Sequence, residues 1–364
     1  MYSIETRCIH GEDHKCEDGN YAISYPIYQT ASFSHLTPGH NPTGFDYSRE
    51  SNPTRQYLEE TVSSLEGAFD SIAFSSGMAA VSCFFDYFAP GDHVICGMDL
   101  YGGTVRLFER IAKKNGLLLD YVDTGDLEAL KALIRNETKA IYFETPTNPM
   151  MQVTDIKAVA KIAHEKNILV CVDNTFMTPY YQNPIKEGAD AVIHSGTKYL
   201  SGHNDTVCGF LCLADEKLAA AYRLLSKTTG ATLGPFECWL CLRGLKTLAV
   251  RMERHRENAE KVSKWLKGQP AVTKVFYVGS GMISFYVESK EKALSILKNI
   301  RLITFAESLG GTESLLTYPT IQTHPDVPSE QKERLGINDR LLRMSVGIES
   351  ADDIINDLKS AMER

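Results

Sequence analysis

Between residues 93 and 213 the chain alternates short apolar segments with helical patterns, and this alternation constrains the fold more than any other feature. The apolar segments are rich in β-branched residues, whereas several segments between them repeat hydrophobic residues at helical spacing. Strands that alternate with helices of this length predict βαβ units and a largely parallel, buried sheet. The predicted strands cover 93–96, 117–122, 140–144, 168–173, 191–194 and 208–213, and the predicted helices cover 104–114, 127–134 and 155–165.

The segments on either side of this alternation differ from it in character. Residues 1–50 are rich in Gly, Pro, His, Ser and Tyr without a sustained period, so we expect an extended N-terminal arm. A helical stretch over 236–266 is followed by a few strands and by a last helix that begins at Ala351. We therefore expect a large α/β domain over 51–240 and a smaller α+β domain over 241–364.

Composition excludes several functional classes. The formal net charge of −8 argues against a nucleic-acid surface, which would carry a basic patch. No apolar segment approaches the roughly 18 residues that a membrane helix needs, so we expect no membrane partner. The nine cysteines are an odd number and several lie in apolar segments, which suits a reducing compartment. We therefore expect a cytoplasmic protein.

Four of the cysteines have a spacing that resembles a zinc site. Cys208 and Cys212 lie in an apolar segment, and Cys238 and Cys241 flank Trp-Leu at the start of an apolar helical pattern. Buried thiols in such surroundings behave as small hydrophobic residues. We therefore expect no metal.

A lysine follows the predicted strand 191–194, in the sequence His-Ser-Gly-Thr-Lys198. Ligands of open α/β sheets bind at the carboxyl ends of the strands. Burial there lowers the pKa of a lysine and makes its amine nucleophilic. We expect Ser195 and Thr197 to alternate on the strand and to bind a phosphate. Alone, such a lysine more often ends a surface strand.

An acid closes a neighbouring strand in the same way. Asp173 ends the apolar run 168–173, where a carboxylate is costly without a partner. A pyridinium nitrogen is such a partner, because an ion pair keeps the ring protonated and electron-withdrawing. A helix N-cap or a structural salt bridge is the alternative.

Two more strand ends carry groups that suit the same ligand. Gly77 opens a helix after a strand that ends near Phe74, and backbone N–H groups at a helix start bind phosphate. Tyr101 follows the strand 93–96, where its ring could stack on an aromatic cofactor, although most tyrosines have a structural role. Four strand ends thus offer a phosphate site, a stacking ring, an acid for a pyridine nitrogen and a lysine, and this coincidence decides the interpretation.

With these residues in view, the chain resembles the Cys/Met-metabolism family of pyridoxal-phosphate enzymes. The resemblance runs nearly end to end and implies the fold type I, aspartate-aminotransferase-like architecture. The motifs that carry it lie at 47–55, 75–80, 144–149, 172–176, 194–199, 307–311 and 342–349.

The resemblance implies a role for each cofactor-binding residue. Lys198 would carry pyridoxal 5'-phosphate as a Schiff base and would then act as the acid and base of the reaction. Asp173 would bind the pyridine nitrogen, Tyr101 would stack on the ring and take part in catalysis, and Asn148 would lie near the ring oxygen. The phosphate would be bound by Ser76, Gly77, Met78, Ser195 and Thr197.

The resemblance also implies shared sites and an amino-acid substrate. Tyr47 and Arg49 match phosphate ligands that a neighbouring subunit donates, which implies an obligate oligomer, usually a homotetramer. Arg343 matches the residue that binds the substrate α-carboxylate, with Asn148 beside it, and Ser308 would help place Lys198. Without the family, a strand-edge salt bridge is the better interpretation of Arg343.

Members of this family catalyse elimination and replacement on one scaffold, so membership does not fix the reaction. Glu307 occupies the place where γ-synthases and γ-lyases have Glu and one group of β-lyases has Tyr. Asp46 and Arg106 match residues that γ-synthases place around the distal end of the substrate. Gly103 replaces the cysteine of methionine γ-lyases and counts against that activity. We therefore predict γ-replacement on an O-acyl-homoserine by cysteine, and also by sulfide. Cystathionine γ-lyase or β-lyase activity is the alternative, and a non-catalytic cofactor-binding protein carries little weight.

Overall fold

Seven strands form the larger of two sheets in the computed structural model, which describes residues 2–11, 21–325 and 327–364. Their order is β1-β7-β6-β5-β4-β2-β3, and β7 alone runs antiparallel to its neighbours. The prediction of a mostly parallel sheet is confirmed. The strands are β1 Asp70–Phe74, β2 His93–Gly97, β3 Leu118–Val122, β4 Thr138–Glu144, β5 Leu169–Asp173, β6 Ala191–His194 and β7 Gly209–Leu213.

Helices pack on both faces of this sheet, and each face has its own hydrophobic core. The central strands are apolar on both faces, as expected for a covered parallel sheet. Several helices begin where a Ser, Asn or Asp side chain caps the first turn. The helices are α1 Ile4–His10, α2 Pro53–Glu66, α3 Gly77–Phe85, α4 Gly102–Leu107, α5 Leu127–Leu133, α6 Ile156–His164, α7 Thr178–Tyr181, α8 Glu216–Thr229, α9 Pro235–Leu245, α10 Leu248–Leu266, α11 Lys290–Asn299, α12 Ser329–Leu335 and α13 Ala351–Met362.

The C-terminal part of the chain builds a second, five-stranded sheet in the order β10-β11-β12-β9-β8. A third hydrophobic core, built from this sheet and from α10, α11 and α13, lies on it. The strands are β8 Val272–Phe276, β9 Met282–Val287, β10 Thr304–Phe305, β11 Leu315–Thr317 and β12 Leu341–Ser345. The boundaries that we predict for the domains remain a proposal, and residues 12–20 of the predicted arm lie outside the described part.

Several helical predictions differ from the structure. Residues 4–10 of the predicted extended arm form α1, and α8, α11 and α12 were not predicted. The predicted helix 104–114 divides into α4 and a π-helical turn over Phe108–Ala112. The predicted stretch 236–266 breaks into α9 and α10. In a continuous helix the carbonyl of Gly244 would accept a hydrogen bond from the N–H of Leu248. Here it accepts hydrogen bonds from Thr247 N and from the guanidinium of Arg251 instead, at 3.1 and 2.8 Å.

The described residues were also searched for membrane spans and metal sites. None of the helices in this part of the chain is both long and apolar enough to cross a bilayer. Within the same residues, no three His, Cys, Asp or Glu side chains are arranged to hold a metal ion. The four cysteines with zinc-like spacing are buried thiols.

Candidate active site

A cavity of about 220 Å³ lies at the carboxyl ends of the parallel strands, where the sequence predicts a ligand. Residues at or after the ends of β2, β4, β5 and β6 line it, together with residues from the C-terminal part of the chain. The predicted site residues that line it are Ser76, Gly77, Met78, Tyr101, Asn148, Asp173, Ser195, Thr197, Lys198, Glu307, Ser308 and Arg343.

Lys198 lies in a tight turn that follows β6. The prediction that Ser195 and Thr197 alternate on the strand is wrong, because the strand ends at His194 and the chain then turns. The N–H of Lys198 donates to the Ser195 carbonyl at 3.1 Å, and the Thr197 hydroxyl donates to the Cys208 carbonyl at 3.1 Å. The turn still directs both hydroxyl residues and the lysine into the cavity.

The amine of Lys198 is partly buried at the wall of the cavity. Its Nζ donates a hydrogen bond of 3.0 Å to Oγ of Ser308. Burial, helped by the positive charge of Arg343, lowers the pKa of Lys198 to about 8, and the carboxylate of Glu307 opposes that shift. A substantial fraction of the amine is therefore neutral and nucleophilic near neutral pH.

Two carboxyl groups end neighbouring strands beside this lysine. Asp173 and Glu144 are register partners on β5 and β4, and both line the cavity. Oδ1 of Asp173 accepts hydrogen bonds from N and Oγ1 of Thr175, at 3.0 and 2.5 Å. Burial raises the pKa of Asp173, and burial together with the charge of Asp173 raises the pKa of Glu144. A cationic ring placed against Asp173 would stabilise its ionised form.

Sequence reasoning did not single out Glu144 or Thr175 as site residues. Glu144 ends the predicted strand 140–144 as Asp173 ends the next one, so this shared position was the signal that could have found it. Its Oε1 accepts from the backbone N–H of Tyr101 at 2.8 Å and thereby fixes the start of α4. Thr175 offered no comparable signal, because hydroxyl residues after strands are common.

The start of α3 meets the turn that contains Ser195. Ser76 caps the helix by accepting from Ala79 N at 3.1 Å. A Cβ on Gly77 would lie 2.9 Å from Cβ of Ser195, so only glycine lets these two segments approach so closely. The approach places helix N–H groups and a serine hydroxyl around one end of the cavity, an arrangement that suits a phosphate.

Tyr101 also lines the cavity and lies at the start of α4. A Cβ on Gly103 would collide with its ring, so the absence of a side chain at this position makes room for the tyrosine. Burial and the charge of Glu307 raise the pKa of the Tyr101 hydroxyl, while Arg106 and Arg343 oppose the rise. Tyr101 is therefore a neutral phenol at neutral pH.

Arg343 lies on β12 in the middle of the smaller sheet and is only 1% exposed. It donates to Oδ1 of Asn148 at 2.9 Å, and to the Ser308 carbonyl and Thr317 Oγ1 at 3.1 and 3.2 Å. Burial lowers its pKa to about 10, and Glu307 opposes this. Its Nε is buried without a hydrogen-bond partner among the described residues. A guanidinium held only by neutral groups is prepared to bind an incoming carboxylate.

Four predicted site residues lie outside this cavity. Asp46 contacts Nε2 of His35 at 3.0 Å, and Arg49 donates to the Lys227 carbonyl and lies over the ring of Tyr47. Arg106 lies on α4 and acts on Tyr101 through its charge. Within the described part of this single chain, the structure does not bring these four residues to the cavity.

Comparison with known proteins decides the family. The family model described as Cys/Met metabolism PLP-dependent enzyme matches residues 5–363. The chain belongs to this family. Pyridoxal phosphate is therefore its cofactor, and the lysine of lowered pKa, the strand-end carboxylate and the helix start around the cavity fit that molecule.

Relatives within this family have different activities. The chain is 47% identical to the cystathionine γ-synthase/O-acetylhomoserine (thiol)-lyase of Bacillus subtilis, over 93% of this chain and 91% of that protein. It is 44% identical to the cystathionine β-lyase of Lactococcus lactis subsp. cremoris, over the full length of both. The crystal structure of cystathionine γ-lyase from Lactobacillus plantarum with L-serine superposes with a TM-score of 0.97 at 40% identity, covering 100% of this chain and 99% of that one. The protein is thus an enzyme of cystathionine metabolism with the fold type I architecture.

Proposed function

We propose that this enzyme catalyses γ-replacement on an O-acyl-homoserine with cysteine as the thiol, and also with sulfide. The position of Glu307 carries the proposal: it lines the cavity and its charge acts on both Lys198 and Arg343. A partly exposed carboxylate there is suited to bind the ammonium group of an incoming cysteine. The similarity to the Bacillus subtilis γ-synthase supports the same reaction.

The proposed mechanism divides the work among the residues of the cavity. When bound, pyridoxal phosphate supplies an electron-withdrawing ring next to the substrate α-carbon. The neutral amine of Lys198 accepts the proton from the α-carbon and returns protons at later steps. Ser308 holds the amine by the 3.0 Å hydrogen bond. Loss of the acyl group from Cγ and addition of the thiol at the same carbon give cystathionine from cysteine, or homocysteine from sulfide.

We propose that Arg343 binds the substrate α-carboxylate and that Asn148 orients the guanidinium. The 2.9 Å contact between them and the burial of Arg343 support this assignment. A planar, desolvated guanidinium pairs with a carboxylate through two hydrogen bonds and so fixes the orientation of the α-carbon.

For the cofactor, we propose that Asp173 pairs with the ring nitrogen, that Tyr101 stacks on the ring, and that Asn148 lies near the ring oxygen. The phosphate would be bound by the start of α3 and by the turn after β6, through Ser76, Gly77, Met78, Ser195 and Thr197. Their common location around one cavity supports these roles.

We further propose that the phosphate site is completed by a second copy of the chain, within a homotetramer. Tyr47 and Arg49 lie outside the cavity of their own chain, and Tyr47 is 44% exposed. Both are therefore placed where they could reach a neighbour, and Asp46 lies beside them. Arg106, on α4, would act on the substrate from the side of Tyr101, which its charge already influences.

A competition assay tests the reaction. The cofactor-loaded enzyme receives acetyl- and succinyl-homoserine with cysteine and sulfide together, and products are identified by mass spectrometry. We expect cystathionine to predominate.

Glu307→Gln should reduce the rate with cysteine by about tenfold and the rate with sulfide much less, because sulfide has no ammonium group to bind. Glu330→Gln, an exposed substitution on α12, is the control.

Elimination is the second candidate, and the full-length similarity to a cystathionine β-lyase favours it. In the same assay, cystathionine and water would give pyruvate, ammonia and homocysteine for a β-lyase, or 2-oxobutanoate, ammonia and cysteine for a γ-lyase. Rapid cleavage without any replacement product would exclude our proposal. A protein that bound the cofactor without turnover of either kind would be the non-catalytic alternative.

A further inference from the structure

A buried histidine joins the C-terminal part of the chain to the loop that carries Asn148. His324 is fully buried in the turn that follows β11, and its backbone N–H donates to the carbonyl of Pro319 at 2.9 Å. Its Nε2 lies 3.0 Å from the backbone carbonyl oxygen of Asn148, and its Nδ1 lies 2.7 Å from Oγ1 of Thr323. Both ring nitrogens therefore have partners, and one partner belongs to the proposed carboxylate site.

These contacts determine the form of the imidazole ring. A carbonyl oxygen only accepts hydrogen bonds, so the ring hydrogen lies on Nε2, and Nδ1 accepts from the hydroxyl of Thr323. Burial and the positive charge of Arg343 lower the pKa of His324 to about 4, and the contacts with backbone carbonyls oppose that shift. At neutral pH, His324 is therefore a neutral ring that donates to Asn148.

The side chain of Asn148 contacts the guanidinium. Its Oδ1 accepts from Arg343 at 2.9 Å, so Asn148 receives one hydrogen bond at its backbone and one at its side chain. The next carbonyl, that of Pro149, accepts from Oγ of Ser284 at 2.6 Å. Together these bonds fix the backbone from which the Asn148 side chain extends. Without the donor from His324, the buried carbonyl would lie unpaired, and the backbone would move to restore a hydrogen bond.

The turn that contains His324 also adjoins the start of α4. A Cβ on Gly102 would collide with the carbonyl oxygen of Thr323, so only glycine permits this approach. Thr323 and Asn148 both line the cavity, whereas His324 lies behind them. The histidine thus holds two residues of the cavity wall from the side away from the substrate.

We propose that His324 is a positioning residue for the carboxylate site: its hydrogen bond to the backbone of Asn148 holds the amide where it orients the guanidinium of Arg343. This inference rests on the proposed binding of the substrate α-carboxylate by Arg343. A histidine with a purely structural task would tie the turn after β11 to the loop after β4. Its loss would then affect ligands with and without a carboxylate alike.

The test compares two ligands of the cofactor-loaded enzyme by isothermal titration calorimetry. L-2-Aminobutanoate has the α-amino and α-carboxylate groups of the substrate but no leaving group, and propylamine is the same molecule without the carboxylate. The wild type should bind the amino acid more tightly, because the amine has no carboxylate to pair with Arg343. The ratio of the two dissociation constants therefore measures how well the carboxylate site is formed.

His324→Gln and His324→Asn differ by one methylene group. The Gln amide reaches the position of Nε2 and keeps a donor for the Asn148 carbonyl, whereas the Asn amide reaches only the position of Nδ1, beside Thr323. We expect His324→Asn to weaken binding of the amino acid by about tenfold and binding of propylamine by less than about twofold. His324→Gln should change both affinities by less than about twofold.

His93→Asn is the matched control. His93 is also fully buried, and its Nδ1 lies 2.8 Å from the hydroxyl of Thr138, but it begins β2, at the end of the strand away from the cavity. We expect this substitution to leave the ratio of the two dissociation constants unchanged.

A second comparison places His324→Asn in the Arg343→Lys background. Because the two residues act on one site, the added substitution should weaken binding of the amino acid by less than about twofold there. Additive losses would show that His324 acts independently of Arg343 and would overturn the proposal.

Other results would also overturn it. Equal losses for the two ligands in His324→Asn would show a structural role, and unchanged affinities would show that the contact with Asn148 has no function. His324→Gln binding the amino acid as weakly as His324→Asn would exclude the hydrogen bond as the cause. A wild-type enzyme that binds both ligands equally would contradict the proposed role of Arg343 itself. Thermal unfolding identifies a variant that fails to fold, and His324→Leu, which also lacks a donor for Asn148, then replaces His324→Asn.

Discussion

Nζ of Lys198 donates a hydrogen bond of 3.0 Å to Oγ of Ser308, a residue whose backbone has a φ of 112°. Residues other than glycine rarely adopt such a backbone, and they retain it where the surrounding structure compensates for the strain. Here the carbonyl of Ser308 also accepts from Arg343 at 3.1 Å. One strained residue thus contacts both the nucleophilic amine and the guanidinium that we propose as the carboxylate site.

The lowered pKa of Lys198 predicts how cofactor loading depends on pH. Because only the neutral amine attacks the aldehyde, the apo enzyme should react at half its maximal rate near pH 8, and well below this midpoint the rate should fall about tenfold for each pH unit. Stopped-flow absorbance measures this rate. Glu307→Gln should shift the midpoint to lower pH, since Glu307 opposes the lowering of the Lys198 pKa. A midpoint that stayed near the ordinary lysine value of 10.5 would contradict the account.

The lowered pKa of Lys198 also affects the stability of the apo protein. The folded-state pKa of Lys198 lies below its unfolded value, so between pH 8 and 10.5 the unfolded chain binds the additional proton. The contribution of Lys198 to the free energy of unfolding should therefore rise with pH across this window. Denaturant titrations at several pH values measure the free energy of unfolding of the wild type and of Lys198→Met. The variant should lack the part of the rise with pH that Lys198 contributes. Parallel pH profiles of the two proteins would refute the prediction.

The close approach at Gly77 predicts the effect of adding a methyl group. Gly77→Ala would place a Cβ 2.9 Å from that of Ser195 and push the start of α3 away from the turn after β6. We expect pyridoxal phosphate to bind at least about tenfold more weakly. Gly268→Ala is the control, because the nearest atom to a Cβ there is 3.5 Å away. If both variants bind the cofactor like wild type, the proposed phosphate site is misplaced.

Arg343 can be tested without removing its charge. Arg343→Lys loses the planar fork that would pair with the substrate carboxylate, so KM for the amino-acid substrate should rise by about tenfold or more while kcat falls less. Arg340→Lys, an exposed neighbour near the end of the same strand, should change neither constant. Steady-state kinetics with each substrate provide the comparison. An unchanged KM in Arg343→Lys would place the carboxylate elsewhere.

The sharing of the site between subunits that we propose can be tested by complementation. Arg49→Ala and Lys198→Ala should each be inactive, but a hybrid of the two contains one site with both native residues. After the variants are mixed and reassembled, about a quarter of the sites should be active. Activity that stays at zero would indicate that Arg49 serves its own chain or has no role.

Much of the fold follows from the sequence, because buried parallel strands have an apolar pattern that few other structures share. The strand 191–194 was predicted with its observed bounds, and the acid at Asp173 and the lysine after β6 were found by their position at strand ends. The helix break at Thr247 was not predictable, since it depends on hydrogen bonds from Arg251 that only the folded chain creates. The pairing of Glu66 with His194, 128 residues apart, is likewise visible only in three dimensions.

The cavity takes its residues from both sheets, and this has a consequence for the history and engineering of such enzymes. Lys198 and Asp173 follow or end strands of the seven-stranded sheet, whereas Arg343 lies on β12 of the five-stranded one and Ser308 in the loop between β10 and β11. The C-terminal segment therefore supplies the proposed carboxylate site and also Ser308, which holds the amine of Lys198. Exchange of this segment for that of a relative is a route to new substrate preferences, provided that the incoming segment keeps the contact with Lys198. Related enzymes could have diversified by the same route.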